Sequence, residues 1–200
     1  MPKPSLKVKF SFSSIIMIIA LILTHSYLSL AAILAAFFHE LGHIIAAKIC
    51  KIPLQELRLG IFGASLTSKP LLCSYKSEVI LALAGPLVNL FSVALLLPVY
   101  GIFKNEFCSL FIAASLFLGI LNLLPIYEFD GGRILYCALS HLHSQKLARQ
   151  WIFASSFILI FSLWTLSIYL LLRLSSSLSL FIFSLSLFSK IFLLPSKELY

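Results

Sequence analysis

His39, Glu40 and His43 stand in the stretch "AAFFHELGHIIAAKIC", residues 35–50, whose other side chains are almost all apolar. Residues four apart on a helix share one face, so His39 and His43 can aim both imidazoles at one metal ion. Glu40 is offset from His39 by about 100° and falls beside that ion rather than on it. His-Glu-x-x-His is the arrangement of two zinc ligands plus a carboxylate that acts as general base toward water. The competing reading is a pair of histidines hydrogen-bonded between helices. Ionisable groups inside a membrane span face the protein interior and serve function by default, which favours the metal.

A hydrolytic zinc takes three protein ligands and leaves a fourth position open. No third histidine follows at the metzincin spacing. His25 falls in an early turn, and His141 and His143 fall in a basic stretch read as a solvated loop. The strongest third ligand is Asp130, in "NLLPIYEFDGGR", residues 122–133. Pro125 disrupts the helix there, and Gly131–Gly132 permit a sharp turn. Unwound backbone is tolerated at membrane depth where it lines a cavity. Glu128 is a rival ligand, although an interfacial carboxylate is its plainer role. Arg133 could pair with Asp130 and make that aspartate structural.

These residues need helices that cross hydrocarbon. The chain of 200 residues is 60% hydrophobic and only 11% charged, against about 25% charged in soluble domains. The expected fold is an all-α polytopic membrane protein of one domain, residues 1–200, with about six transmembrane helices. The spans are placed near 10–24, 28–49, 77–100, 107–126, 151–172 and 178–194. The basic start, "MPKPSLKVKF", reads as the lead into a retained first span rather than a cleaved leader. His39 lies about 16 Å along the helix from Leu28, and Lys48 about 13 Å beyond it, so the metal belongs in the cytoplasmic half of the bilayer.

The formal charge is +8. Cytoplasmic loops account for it without any nucleic-acid partner. With both termini in the cytoplasm, 13 of the 15 Lys and Arg residues fall inside, and only Lys104 and Arg173 fall outside. The four cysteines form no Cys-x-x-Cys pair, so no cysteine metal site or disulfide framework is indicated.

Three blocks occur in order: "HELGH" (39–43), "AGPLVN" (84–89) and "NLLPIYEFDGG" (122–132). They resemble the site-2 protease family of intramembrane zinc metalloproteases. The long third block and the span before HELGH look most like the sporulation branch of that family. The resemblance implies that His39, His43 and Asp130 bind Zn2+ and that Glu40 is the catalytic acid and base. It implies that Asn122 lies near the active site and helps accommodate substrate. Residues 57–68 sit where the family places a reentrant loop or β-hairpin after the second span, with Gly60 and Gly63 at its turns and in contact with substrate. Asn89 either contacts that region or packs between helices. No counterpart of the family's nucleotide-binding CBS domain is expected after the last span, and residues 51–76 are too few for a PDZ domain.

The expected function is an intramembrane zinc endopeptidase in a bacterial cytoplasmic or forespore membrane. Its substrate would be a membrane-associated protein, such as a sporulation sigma-factor precursor, cut near the cytoplasmic face. Inhibitory or regulatory membrane proteins are expected partners. A catalytically silent scaffold of the same fold is the first alternative, and the intact Glu40 argues against it. A metal transporter is the second. It would spread ionisable groups over many spans, whereas here they gather at one depth in two.

Overall fold

The computed structural model describes residues 7–10, 26–52, 56–60, 63–67, 74–174 and 178–193. Contacts divide the chain into two compact units, Met1–Leu123 and Leu124–Tyr200.

The first unit contains β1 (Lys7–Phe10), α1 (Tyr27–Ile49), β2 (Glu56–Gly60), β3 (Gly63–Thr67), α2 (Tyr75–Phe103) and α3 (Glu106–Asn122). Each helix starts on a polar cap. The side chains of Ser26, Ser74 and Asn105 accept from the backbone N–H of Leu28, Ser77 and Cys108, satisfying donors that the first turn leaves open. Helix α1 stops where Lys51 takes a left-handed φ of 53°. Ile52 N–H then donates to Ala47 O at 2.9 Å. Its buried side chain packs on Ala46, Ala47 and Leu81, the hydrophobic contact that accompanies such a six-to-one closure.

Helix α1 buries Ala31, Ala35, His39, Gly42, His43, Ala46 and Ala47. Apart from the histidines this stripe is small, so backbones can approach closely, as membrane helix packing requires. At Gly42 an added Cβ would lie 2.6 Å from Ala84 O of α2. Ala31 and Ala35 pack on Phe111 of α3. The outward faces carry Ile49, Phe91, Leu95, Ile102 and Phe117, all exposed. That suits hydrocarbon rather than water.

Strands β2 and β3 pair antiparallel, with Gly60 opposite Gly63, so this segment is a hairpin in backbone form. Strand β1 lies parallel on the other side of β2, Lys7 opposite Glu56. The sequence reading did not include β1, because four residues show nothing of a partner some fifty positions away. The first expected span, 10–24, falls outside the described residues except for Phe10, which is strand.

The second unit contains α4 (Asp130–Leu142), α5 (Gln145–Leu174) and α6 (Leu178–Leu193). Along the α5–α6 seam Ser167 and Ser184 hydroxyls meet at 3.2 Å, and Trp164 stacks on Phe188 with centroids 6.1 Å apart. Three boundaries differ from expectation. The helix expected at 107–126 ends at Asn122. The supposed loop after it contains α4, and His141 belongs to the last turn of that helix. The helix that carries the span expected at 151–172 starts at Gln145. Charged residues in 145–150 end the apolar run but not the helix.

Three described helices are long and apolar enough to cross a membrane: Tyr27–Ile49, Tyr75–Phe103 and Gln145–Arg173. Glu106–Asn122 and Leu180–Lys190 are shorter apolar helices. The chain is an integral membrane protein.

Candidate active site

In the first unit His39 and His43 are each 5% exposed, with Nε2 atoms 3.1 Å apart. Their rings meet edge to face at 4.8 Å. His43 Nδ1 lies 2.8 Å from Leu81 O. A carbonyl only accepts, so Nδ1 carries the proton and Nε2 presents a lone pair. Gly85 makes the room. A Cβ there would lie 2.7 Å from His43 Cε1 and 2.8 Å from His39 Cε1, and would overlap His43 Nε2. Asn89 is fully buried, its Nδ2 3.4 Å from His39 Nδ1. Leu81, Gly85 and Asn89 are four apart on α2, so one stripe of that helix faces both histidines.

The histidine pair fits zinc. Nitrogens at 2.0–2.1 Å from a tetrahedral zinc lie about 3.3 Å from each other, close to the 3.1 Å between the Nε2 atoms. Glu40 is half-buried on the same turn of α1, beside the histidine face rather than on it.

In the second unit Asp130 is the first residue of α4, and Phe129 is its N-cap without a side-chain cap bond. The positive end of the helix dipole favours a carboxylate at this position. The segment leading to it is folded on itself and tied to its neighbours. Phe129 N–H donates to Ile126 O at 2.9 Å. Ser155 Oγ donates to Pro125 O at 2.8 Å, and Tyr127 N–H donates to Ser156 Oγ at 2.8 Å. Gly131 and Gly132 are helical, which corrects the expected turn. Gly132 is there for close approach: a Cβ would overlap Ile126 O and lie 2.6 Å from that carbonyl carbon. Glu128, the rival ligand, forms an ion pair with Lys190 of α6 at 2.7 Å.

The structure thus brings His39, His43 and Asn89 together and sets Asp130 at the head of α4. Asn122 ends α3 and donates from Nδ2 to Leu118 O at 3.0 Å. Gly60 and Gly63 close the hairpin. Leu81 and Gly85 were missed from sequence. The signal for them was the four-residue step from Gly85 to Asn89 within AGPLVN.

Peptidase family M50 matches residues 100–166. A zinc metalloprotease of Methanocaldococcus jannaschii is 35% identical over 120 residues, which is 55% of this chain and 34% of that protein. Stage IV sporulation protein FB of Bacillus subtilis is 31% identical over 147 residues, 69% of this chain and 49% of that protein. The chain therefore spans between about a third and a half of the length of these curated relatives. The solved site-2 protease from Methanocaldococcus jannaschii shares the fold, with a TM-score of 0.65 at 23% identity over 96% of this chain and 91% of that one. In its M50 segment and its fold, the chain is similar to peptidase family M50 and to a solved site-2 protease.

Proposed function

We propose that this chain is a zinc endopeptidase of the membrane in which His39, His43 and Asp130 hold the ion and Glu40 is the acid and base. The observation that carries this reading is the pair of buried Nε2 atoms 3.1 Å apart on α1, one residue from a carboxylate. Bound zinc supplies a Lewis acid that brings the pKa of water to about 7. Glu40 takes a proton from the attacking water and passes it to the leaving nitrogen as the C–N bond breaks. His43 is held in the ligating tautomer by Leu81. The tied segment before Asp130 fixes where that carboxylate starts.

The substrate is a membrane-associated protein unwound near the cytoplasmic face. Strand β2 is flanked on both sides, whereas β3 has one neighbour among the described residues. A substrate strand can therefore add at β3, next to the Gly60–Gly63 end. Asn122 Oδ1 is an acceptor for a peptide N–H. The placement of basic residues supports the six-span layout with both termini in the cytoplasm. The name of the Bacillus subtilis relative, Stage IV sporulation protein FB, supports a role in sporulation, for which the sequence resemblance suggests a sigma-factor precursor as substrate.

The test is reconstitution in liposomes with single-span reporter proteins carrying a helix-breaking segment near the cytoplasmic end. Cleavage that stops on chelation and returns with zinc supports the reading. Cleavage that survives removal of all zinc contradicts it.

A further inference from the structure

Asn89 sits in the stripe of α2 that serves the histidines, and it is 0% exposed. As placed, its Nδ2 faces His39 Nδ1 at 3.4 Å, at the long end of hydrogen-bond range. Its Oδ1 is buried and meets no hydrogen-bond partner among the described residues. The two ends of a carboxamide have the same shape and exchange by a half-turn.

The neighbouring histidine shows which end belongs there. His43 gives its Nδ1 proton to an oxygen acceptor on α2, Leu81 O. A donor against His39 Nδ1 would force the proton onto Nε2, the atom that must carry a lone pair. An acceptor there does the opposite. Histidines that ligate a metal generally donate their other N–H to a carbonyl or carboxylate.

Helix geometry makes the two acceptors complementary. Backbone carbonyls point toward the C-terminus of a helix, and Cα–Cβ bonds tilt toward its N-terminus. Leu81 O and the Asn89 amide therefore reach toward each other across Gly85. They meet the two histidines from opposite ends of one gap.

The geometry points to Asn89 as a positioning residue: its Oδ1 accepts from His39 Nδ1–H and holds His39 Nε2 in the zinc-ligating state. This rests on the zinc reading above. It separates Asn89 from the substrate contacts and assigns it to the ligand.

The experiment is zinc competition on purified wild type, Asn89→Leu and Asn89→Asp in detergent, with a chelator titrated against the zinc-loaded protein. Helix content and melting of the zinc-free forms are measured alongside. Leucine keeps the branched outline and removes the acceptor, so zinc should be released at about 10–100-fold lower chelator activity. Aspartate keeps an acceptor and should hold zinc at least as tightly as wild type. If Asn89 only packs, the order reverses: leucine keeps zinc, and aspartate loses both zinc and stability. Should the leucine variant fail to fold, the aspartate variant decides alone, with retention supporting the role and loss overturning it. Wild type that holds zinc no better than the leucine variant removes only the role of Asn89. Wild type that holds no zinc removes the zinc reading with it.

Discussion

His43 donates through Nδ1 to the backbone carbonyl of Leu81 at 2.8 Å. That bond ties a side chain of α1 to the main chain of α2, so the imidazole keeps its tautomer and orientation only while the two helices keep their spacing. Glycines at the crossing set that spacing.

Gly85→Ala should disrupt the histidine pair. The new methyl would overlap His43 Nε2 and crowd His39 Cε1, and overpacking of this kind costs about 1–3 kcal/mol. The zinc-to-protein ratio after gel filtration should fall well below that of wild type, while helix content is kept.

Gly42→Ala should loosen α1 from α2. Its Cβ would meet Ala84 O at 2.6 Å, a backbone atom that cannot swing away. A stability loss of about 1–3 kcal/mol is expected in detergent unfolding. Gly101→Ala is the control, since nothing lies within 4 Å of its Cβ position. It should be neutral, or stabilising by about 0.5–1 kcal/mol from helix propensity.

The Glu128–Lys190 pair should be structural rather than metal-binding. Both side chains are partly exposed, at 23% and 37%, so Lys190→Met is expected to cost only about 1 kcal/mol. Adding Glu128→Gln to that variant should recover part of the loss, because the unpaired carboxylate is gone. Glu128→Gln alone should keep its zinc. Unfolding of the two single variants and the double variant, with zinc analysis of each, checks all three outcomes.

Zinc removal should lower stability as well as stop cleavage. An ion bound only by the folded chain and present at a thousand times its Kd stabilises by about 4.1 kcal/mol. The melting temperature should fall on chelation and rise again with added zinc. In His43→Ala it should respond little to either.

Much of the site was legible in the sequence, because its chemistry is local. Four-residue spacing alone places His39 and His43 on one face, and the structure has them so. The partners supplied by α2 were not legible. Leu81 acts through its carbonyl, and Gly85 through the absence of a side chain, so neither residue type announces a role. Asn89 entered only as the last residue of the AGPLVN block, and its distance from His39 is a tertiary fact. The helix at 130–142 was hidden for a different reason. Two glycines at its start have poor helix propensity and read as a turn. Close packing against Ile126 O requires that Gly132 lack a Cβ. Likewise β1 pairs with a strand far along the chain, which no local pattern encodes.

The most direct test of the central claim is Glu40→Gln, which keeps the shape of the side chain and removes its basicity. The reconstituted variant is assayed on a reporter that wild type cleaves, with zinc content measured on the same sample. The expected result is full zinc with cleavage reduced by at least about a hundredfold, the scale of a lost general base. Cleavage at the wild-type rate with zinc in place would contradict the account.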